Sequence, residues 1–206
     1  LLSRAISFYG EPRKENNVIN NSETKITKIN TKIYQSIVNE KDLDKWLSIL
    51  REKSVISVDT ETSSLNLLEA DLIGISFSYA PNKACYIPLN YKKIKGLKKE
   101  LVLKKIKPIL EDPSIKKVGQ NIKFDFIILN QNGIKINSIE DTMLISYTLD
   151  AGNNRHNLDK LSEIHLNHKT ISYKDLVGSG KNKLNFSDVA IDKATEYAAE
   201  DADVTL

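Results

Sequence analysis

The chain has 206 residues, of which 28% are charged and 40% hydrophobic, and its formal net charge is +3. This length allows one domain with a hydrophobic core. Its one cysteine, Cys85, excludes an intrachain disulfide and a thiolate zinc site, so we expect a reducing, cytoplasmic location. No apolar run approaches the ~20 residues that span a bilayer, so we expect no membrane partner. The small positive charge permits a polyanionic partner without requiring one.

The two ends of the sequence differ from its centre. Residues 10–30 are polar, rich in asparagine and without apolar periodicity, which is typical of a linker. Residues 1–10 are too short to fold alone and indicate the end of an upstream unit. The last residues follow a helical pattern that no glycine, asparagine or proline ends. We therefore expect a fragment of a longer protein, with a folded domain over residues 31–206.

Within the domain, strands come first and helices are interleaved later. The runs VISVDTE, LIGISFSYA and ACYIPLN predict three strands with hairpin connections, and KKVGQ predicts a fourth strand. Helices are predicted over residues 42–53, 97–112, 121–133, 140–149, 157–166 and 187–206. This order favours an α/β or α+β layered domain with a mixed β-sheet flanked by α-helices.

Two acids end the first predicted strand, in the segment SVISVDTETSSL. Side chains alternate along a strand, so Asp59 and Glu61 point to the same face. Two neighbouring carboxylates repel each other unless a cation or a proton lies between them, and hard oxygen ligands suit Mg²⁺ or Mn²⁺. The alternative is a pair of solvated acids at the end of a strand.

Two further segments carry acids with polar companions. Asn121 and Asp125 are four residues apart and share a face of a predicted helix that is apolar all round. A buried acid there needs a metal or a salt bridge to a lysine. Tyr197 and Asp201 are also four apart, so the tyrosine could position a water beside a metal-binding acid, or could be a core aromatic beside an exposed acid. Together the three segments supply the carboxylates of a two-metal site, whose ions lie ~3.5–4 Å apart.

The segments DTET followed by SL, VGQNIKFD and YAAEDADVTL resemble the three exonuclease motifs of the DEDD superfamily. Their order and spacing are similar to those of the 3′→5′ proofreading exonuclease domains of bacterial family A DNA polymerases. The segments DTMLISYTLD, RHNLDKLSE and HKTISYKDLVGSGKNKLNF fit this resemblance, which runs from about residue 31 to the end. It implies a ribonuclease H-like fold, with residues 1–30 as the end of a 5′-nuclease domain and its linker, and a polymerase domain of the same chain as partner.

The resemblance also implies catalytic roles and two divalent metal ions, Mg²⁺ or Mn²⁺. Asp59, Glu61 and Asp201 would hold the ion that activates the attacking water. Asp59 would also contact the second ion, which Asp125 would support largely through water. Tyr197 would orient the nucleophilic water. No histidine stands five residues before the last acid, which indicates the tyrosine subclass rather than the histidine subclass.

Five further positions match residues that handle the 3′ end in this family. Leu65 corresponds to an apolar wedge against the terminal bases, and Tyr173 occupies a position that is often phenylalanine. Gln120, Asn121 and Arg155 match polar groups near the substrate or the carboxylates. The alternatives are a core leucine, a surface arginine and an asparagine that only braces its helix. The implied reaction hydrolyses the last phosphodiester of single-stranded or frayed DNA and releases a nucleoside 5′-monophosphate.

Two other functions stay open from the sequence. An RNA 3′-processing exonuclease of the ribonuclease D kind shares the four acids and the tyrosine. A catalytically silent domain could serve only as a scaffold of the polymerase, although all five residues are present here. The glycine-rich segment GSGK lacks the flanking residues of a phosphate-binding loop. Its lysines, Lys181 and the nearby Lys183, would lie beside a DNA strand or in a solvated turn.

Overall fold

The strands form one mixed sheet in the computed structural model, which describes residues 28–206 except 90, 92–95, 181 and 182. Its six strands are β1 (Gln35–Ser36), β2 (Val55–Thr62), β3 (Leu72–Ala80), β4 (Lys83–Pro88), β5 (Lys116–Gly119) and β6 (Ile139–Asp141). Their spatial order is β1-β4-β3-β2-β5-β6. The three long strands pair antiparallel as predicted, and the three short strands join them in parallel.

Seven α-helices surround the sheet in the described part of the chain. They are α1 (Glu40–Arg51), α2 (Lys99–Leu110), α3 (Lys123–Gln131), α4 (Thr142–Leu149), α5 (Leu158–Leu166), α6 (Tyr173–Val177) and α7 (Ile191–Thr205). Short 3₁₀ helices span Thr31–Ile33 and Phe186–Asp188. None of the described helices is long and apolar enough to cross a membrane.

Side chains along β2 point alternately to the two faces of the sheet, and each face packs against a different layer of helices. Ile56 and Val58 point into the main core with the buried faces of α1, α2 and α3. Ser57 points to the opposite face, where its hydroxyl donates a hydrogen bond of 2.6 Å to the Ala202 carbonyl of α7. Asp59 and Glu61 follow Ser57 at intervals of two, so they face α7 as well. Alanines on the inner face of α7 allow it to pack closely over β2, β3 and β4.

The structure moves the start of one predicted helix. The helix predicted over residues 121–133 begins only at Lys123, so Asn121 does not share a helical face with Asp125, and that expectation was wrong. Asn121 has a left-handed backbone conformation (φ 55°), and its backbone N–H donates a hydrogen bond to Asp141 Oδ1 at 3.0 Å. This hydrogen bond to Asp141 therefore stabilises a non-helical conformation at Asn121, before α3 begins.

Other boundaries also differ from the prediction. The segment predicted as a helix from residue 140 begins with the end of β6, and Asp141 then caps α4 by accepting from the Met143 amide at 2.9 Å. The final helix starts at Ile191 rather than residue 187. The sequence interpretation missed β1, β6 and α6, which are short. Most of the predicted linker and upstream tail, residues 1–27, lies outside the described residues.

Candidate active site

A cleft of about 760 Å³ lies where the carboxyl end of β2 meets α3 and α7. Its described lining comprises residues 59–65, Gln120, Asn121, Phe124, Asp125, Tyr173, Lys183, Tyr197 and Asp201. The structure thus brings nine of the ten predicted site residues to one cleft. Arg155 is the exception: it is exposed in the turn before α5 and is not among the described lining residues.

Three carboxylates converge at the base of this cleft. One oxygen from each of Asp59, Glu61 and Asp201 lies within 4.8 Å of the other two. Period-two alternation places the first two on one face of β2, and α7 brings the third over that face. No described lysine, arginine or histidine forms an ion pair with any of them. Three close oxygen donors without a basic partner fit a divalent cation such as Mg²⁺ or Mn²⁺.

The pKa values of these three acids also favour a cation site. Burial, and then the charges of the neighbouring acids, raise the pKa values of Asp59 and Glu61 well above their ordinary range. Burial, followed by the charge of Glu200, raises the pKa of Asp201 to about 8. The cluster therefore carries a repulsion that a bound cation would relieve.

Asp125 on α3 lines the same cleft but is not one of the three converging acids. It is only 4% exposed, and its Oδ1 accepts hydrogen bonds from the Thr60 amide at 2.8 Å and the Thr60 hydroxyl at 2.5 Å. Its hydrogen-bond partner is thus a threonine, not the lysine of the alternative interpretation. Burial raises the pKa of Asp125 to about 6, against the lowering effect of Thr60. The sequence analysis did not single out Thr60, although its place between two acids was a signal.

Tyr197 lies one turn before Asp201 on α7 and lines the cleft. Burial, followed by the charges of Asp201, Glu61 and Asp59, strongly raises the pKa of its hydroxyl. The hydroxyl therefore stays protonated and can donate a hydrogen bond toward the acid cluster.

An aromatic cluster forms one wall of the cleft. The ring of Phe186 stacks on Tyr173 with 6.5 Å between centroids and meets Tyr197 edge-on at 6.0 Å. Lys183 Nζ lies 5.5 Å from the centroid of Tyr173. Phe186 thus holds both tyrosines; the sequence analysis gave it no role, although it ends the segment HKTISYKDLVGSGKNKLNF that fits the family. Of the two lysines in the glycine-rich region, Lys183 lines the cleft and Lys181 lies outside the described residues.

The remaining predicted residues differ in how free their side chains are. Leu65 is 88% exposed at the rim of the cleft, which excludes the core alternative for this residue. Gln120 is braced: its Nε2 donates to the His156 carbonyl at 2.7 Å, and its Oε1 accepts from the Thr142 hydroxyl at 2.5 Å. Both ends of the Gln120 amide are therefore used inside the protein, whereas Leu65 is free to meet a ligand.

The family model of a 3′–5′ exonuclease matches residues 34–206. DNA polymerase I of Rhizobium leguminosarum is 42% identical over 84% of this chain, which spans 19% of that relative's length. The solved structure of Escherichia coli RNase D, an exoribonuclease, has a TM-score of 0.61 and 21% identity over 83% of this chain and 42% of that one. Brucella melitensis NrnC with bound Mg²⁺ has a TM-score of 0.58 and 20% identity over 84% of this chain and 75% of that one.

These likenesses confirm the predicted ribonuclease H-like fold and the resemblance read from the motifs. The match to the family model covers the whole sheet and α7, which together carry the acid cluster. The chain therefore belongs to the 3′–5′ exonuclease family.

Proposed function

We propose that this domain removes nucleotides one at a time from the 3′ end of single-stranded or frayed DNA, releasing nucleoside 5′-monophosphates, as the proofreading part of a cytoplasmic DNA polymerase I. The observation that carries the proposal is the group of three carboxylates within 4.8 Å beside Tyr197, in a cleft of about 760 Å³. That volume accommodates a nucleotide. The 42% identity to a DNA polymerase I supports DNA as the substrate.

Asp59, Glu61 and Asp201 would hold one divalent cation, and Asp125 with Asp59 would support a second. Bound cations would lower the pKa of an attacking water and neutralise charge on the phosphate. Thr60 fixes one oxygen of Asp125 and leaves the other for a ligand or a water. Asp125 lies outside the three-acid group but in the same cleft as Asp59, which suits a second cation between these two acids.

The chain's own side chains would position the substrate. The Tyr197 hydroxyl would donate a hydrogen bond to the attacking water and orient it toward the phosphorus. Leu65 and Tyr173 offer apolar and aromatic surfaces on which frayed bases can stack with little sequence preference. Lys183 would attract the phosphate backbone, and Gln120 and Asn121 would shape the floor of the cleft. Arg155, which is exposed and outside the cleft lining, could reach only a longer stretch of the strand.

The second candidate is trimming of RNA, because the fold is shared with an exoribonuclease. Matched DNA and RNA oligonucleotides with a 5′ label test this directly in Mg²⁺ or Mn²⁺. We expect DNA to be shortened at least about tenfold faster than RNA. Faster shortening of RNA would favour the ribonuclease D kind of function. No shortening of either by folded protein would favour a silent scaffold.

Helix α4 supports the proposal that the domain belongs to a larger polymerase chain. None of its eight residues is buried, although most are apolar, and Leu144 and Leu149 are 58% and 81% exposed. The chain spans about a fifth of the matched polymerase relative. We therefore assign this face to contact with the polymerase domain, and residues 1–30 to the end of an upstream nuclease domain and its linker.

Amide hydrogen exchange tests this contact. Residues 142–149 should exchange at least about tenfold more slowly in the full-length polymerase than in the domain alone, because packing protects helix amides. Equal exchange in the two proteins would show that α4 is not the contact surface.

A further inference from the structure

A buried hydroxyl lies beside the acid cluster and has no role in the reaction described above. Tyr86 on β4 is fully buried, and its hydroxyl has no hydrogen-bond partner among the described residues. Buried polar groups in native proteins nearly always have a partner, so an unpaired hydroxyl calls for an explanation.

The register of the sheet places this hydroxyl next to Glu61. Gly74 on β3 pairs with Glu61 on β2, and Tyr86 on β4 pairs with Ser76, two residues along from Gly74. The side chains of Glu61 and Tyr86 and the missing side chain of Gly74 therefore belong to one face of the sheet. Asp59, the register partner of Ser76, lies on that face too.

Gly74 makes room for the hydroxyl. A Cβ atom at Gly74 would lie 2.1 Å from the Tyr86 oxygen, so the hydroxyl occupies the place of the missing side chain. Cβ positions of directly paired residues are about 4.5–5.5 Å apart, so this place is next to the Glu61 side chain. Burial raises the pKa of the Tyr86 hydroxyl, followed by the charges of Tyr91 and Glu61, a hydrogen-bonding contribution from Tyr91 and the charge of Asp59, so the hydroxyl stays a hydrogen-bond donor.

We propose that Tyr86 is a positioning residue, whose hydroxyl donates a hydrogen bond to Glu61 and holds that carboxylate in the orientation that faces the cleft. This inference rests on the proposed function, since Glu61 is one of the three acids assigned to the cation. Strand β3 lies between the strands of the two residues, and at Gly74 it has no side chain that would separate the two groups. Hydrogen bonds to ligating carboxylates orient them and tune metal affinity.

Tyr91 is the competing partner. Its ring meets Tyr86 edge-on with 6.4 Å between centroids, and its own hydroxyl donates to the Phe186 carbonyl at 3.1 Å. If Tyr86 served only to pack this aromatic cluster, removing the hydroxyl of either tyrosine would have the same small effect. Tyr91→Phe is therefore the matched control for Tyr86→Phe.

Calorimetric titration of Mn²⁺ into wild type and the two variants tests the proposal. We expect Tyr86→Phe to weaken Mn²⁺ binding about tenfold or more and Tyr91→Phe to change it less than about twofold. The melting temperature of Tyr86→Phe in EDTA should fall by no more than about 5 °C, since the variant loses one hydrogen bond and keeps the packing of the ring. With a DNA oligonucleotide, kcat should fall at saturating substrate in Tyr86→Phe while KM stays the same.

Two outcomes of the comparison between the variants would overturn the proposal: unchanged Mn²⁺ affinity in Tyr86→Phe, or equal weakening in both variants, which would identify Tyr91 as the partner. Wild-type protein that binds no Mn²⁺ would also overturn it, because Glu61 would then not be a cation ligand. Wild-type protein that binds Mn²⁺ but digests no DNA would contradict the proposed function alone. The affinity comparison would still decide the role of Tyr86.

Discussion

Three acids near the end of α7 have different surroundings, although only four residues span them. Glu200 is 1% exposed, and its two oxygens accept from the Ile171 amide at 2.6 Å and pair with His168 Nε2 at 2.8 Å. Asp203 is 7% exposed and accepts from the Tyr34 hydroxyl at 2.7 Å and the Asn82 amide at 2.9 Å.

Asp201, between them, instead faces two other carboxylates. Helical rotation sends the three side chains in different directions, because successive positions differ by about 100°. Glu200 fastens the segment before α6 and Asp203 fastens the turn after β3. Asp201 instead faces the cleft, beside the Tyr197 hydroxyl that hydrogen-bonds to it. The hydrogen-bond partners of each acid therefore distinguish two roles. Glu200 and Asp203 stabilise the fold, whereas Asp201 is available for a cation.

The largest expected effect comes from removing an acid of the cluster. Asp59→Ala or Asp201→Asn should lower the exonuclease rate by about 10³-fold or more, since cations bind poorly without their ligands. Single-strand binding should persist in Asp59→Ala. Rates from a 5′-labelled oligonucleotide and binding by fluorescence anisotropy measure the two effects. A normal rate in either variant would mean that the site is assigned wrongly.

The next largest effect is the dependence of folding stability on pH in the absence of metal. The folded protein holds the pKa of Asp125 near 6 and that of Asp201 near 8, above their values of ~4 in an unfolded chain. The folded state therefore binds more protons at these two groups, and their contribution to stability is full below about pH 4 and is lost as the pH rises through 8. We expect the melting temperature in EDTA to drop by more than about 5 °C between pH 5 and 8.5.

Asp201→Asn is the control for this pH effect. It removes one of the ionising groups, so the drop in melting temperature should be smaller, and the variant should melt higher than wild type at pH 8.5 in EDTA. Added Mg²⁺ should restore the wild type far more than the variant. A wild-type melting temperature that rises with pH would contradict the electrostatic description of the cluster.

A third prediction concerns Asp203. Replacing it by asparagine puts an amide donor among the donors of Tyr34, Ser78 and Asn82, so the free energy of unfolding should fall by about 1–3 kcal/mol. Urea denaturation measures this change. The exonuclease rate at low temperature, where the variant is folded, should stay within about threefold of wild type. A loss like that of Asp201→Asn would place Asp203 in the active site.

The smallest effect is expected at Glu200. Glutamine keeps one acceptor for the Ile171 amide but loses the charge that faces His168, so unfolding should become easier by about 1 kcal/mol. The variant should keep its Mn²⁺ affinity within about twofold. Because Glu200 is next to Asp201, a tenfold weaker affinity would indicate that it also contacts the cation.

The strand and helix patterns predicted the mixed sheet and the family, because hydrophobic period and motif spacing are local properties of the sequence. The same local patterns predicted that Asp59, Glu61 and Asp201 would lie together, as they do in the structure. The sequence analysis wrongly placed Asn121 on a helix. Its backbone amide instead donates to Asp141, which lies twenty residues further along the chain, and a local pattern cannot show such a contact. Phe186 and Thr60 act through contacts that only the folded chain creates. The two-residue strand β1 is too short to show any period.

Digestion of a 5′-labelled single-stranded DNA oligonucleotide, with Mg²⁺ or Mn²⁺ and with EDTA, tests the central claim most directly. The acid cluster predicts a ladder that shortens from the 3′ end, needs a divalent cation, and is absent with Asp59→Ala. Digestion that continues in EDTA, or no digestion by folded wild-type protein with either metal, would contradict it.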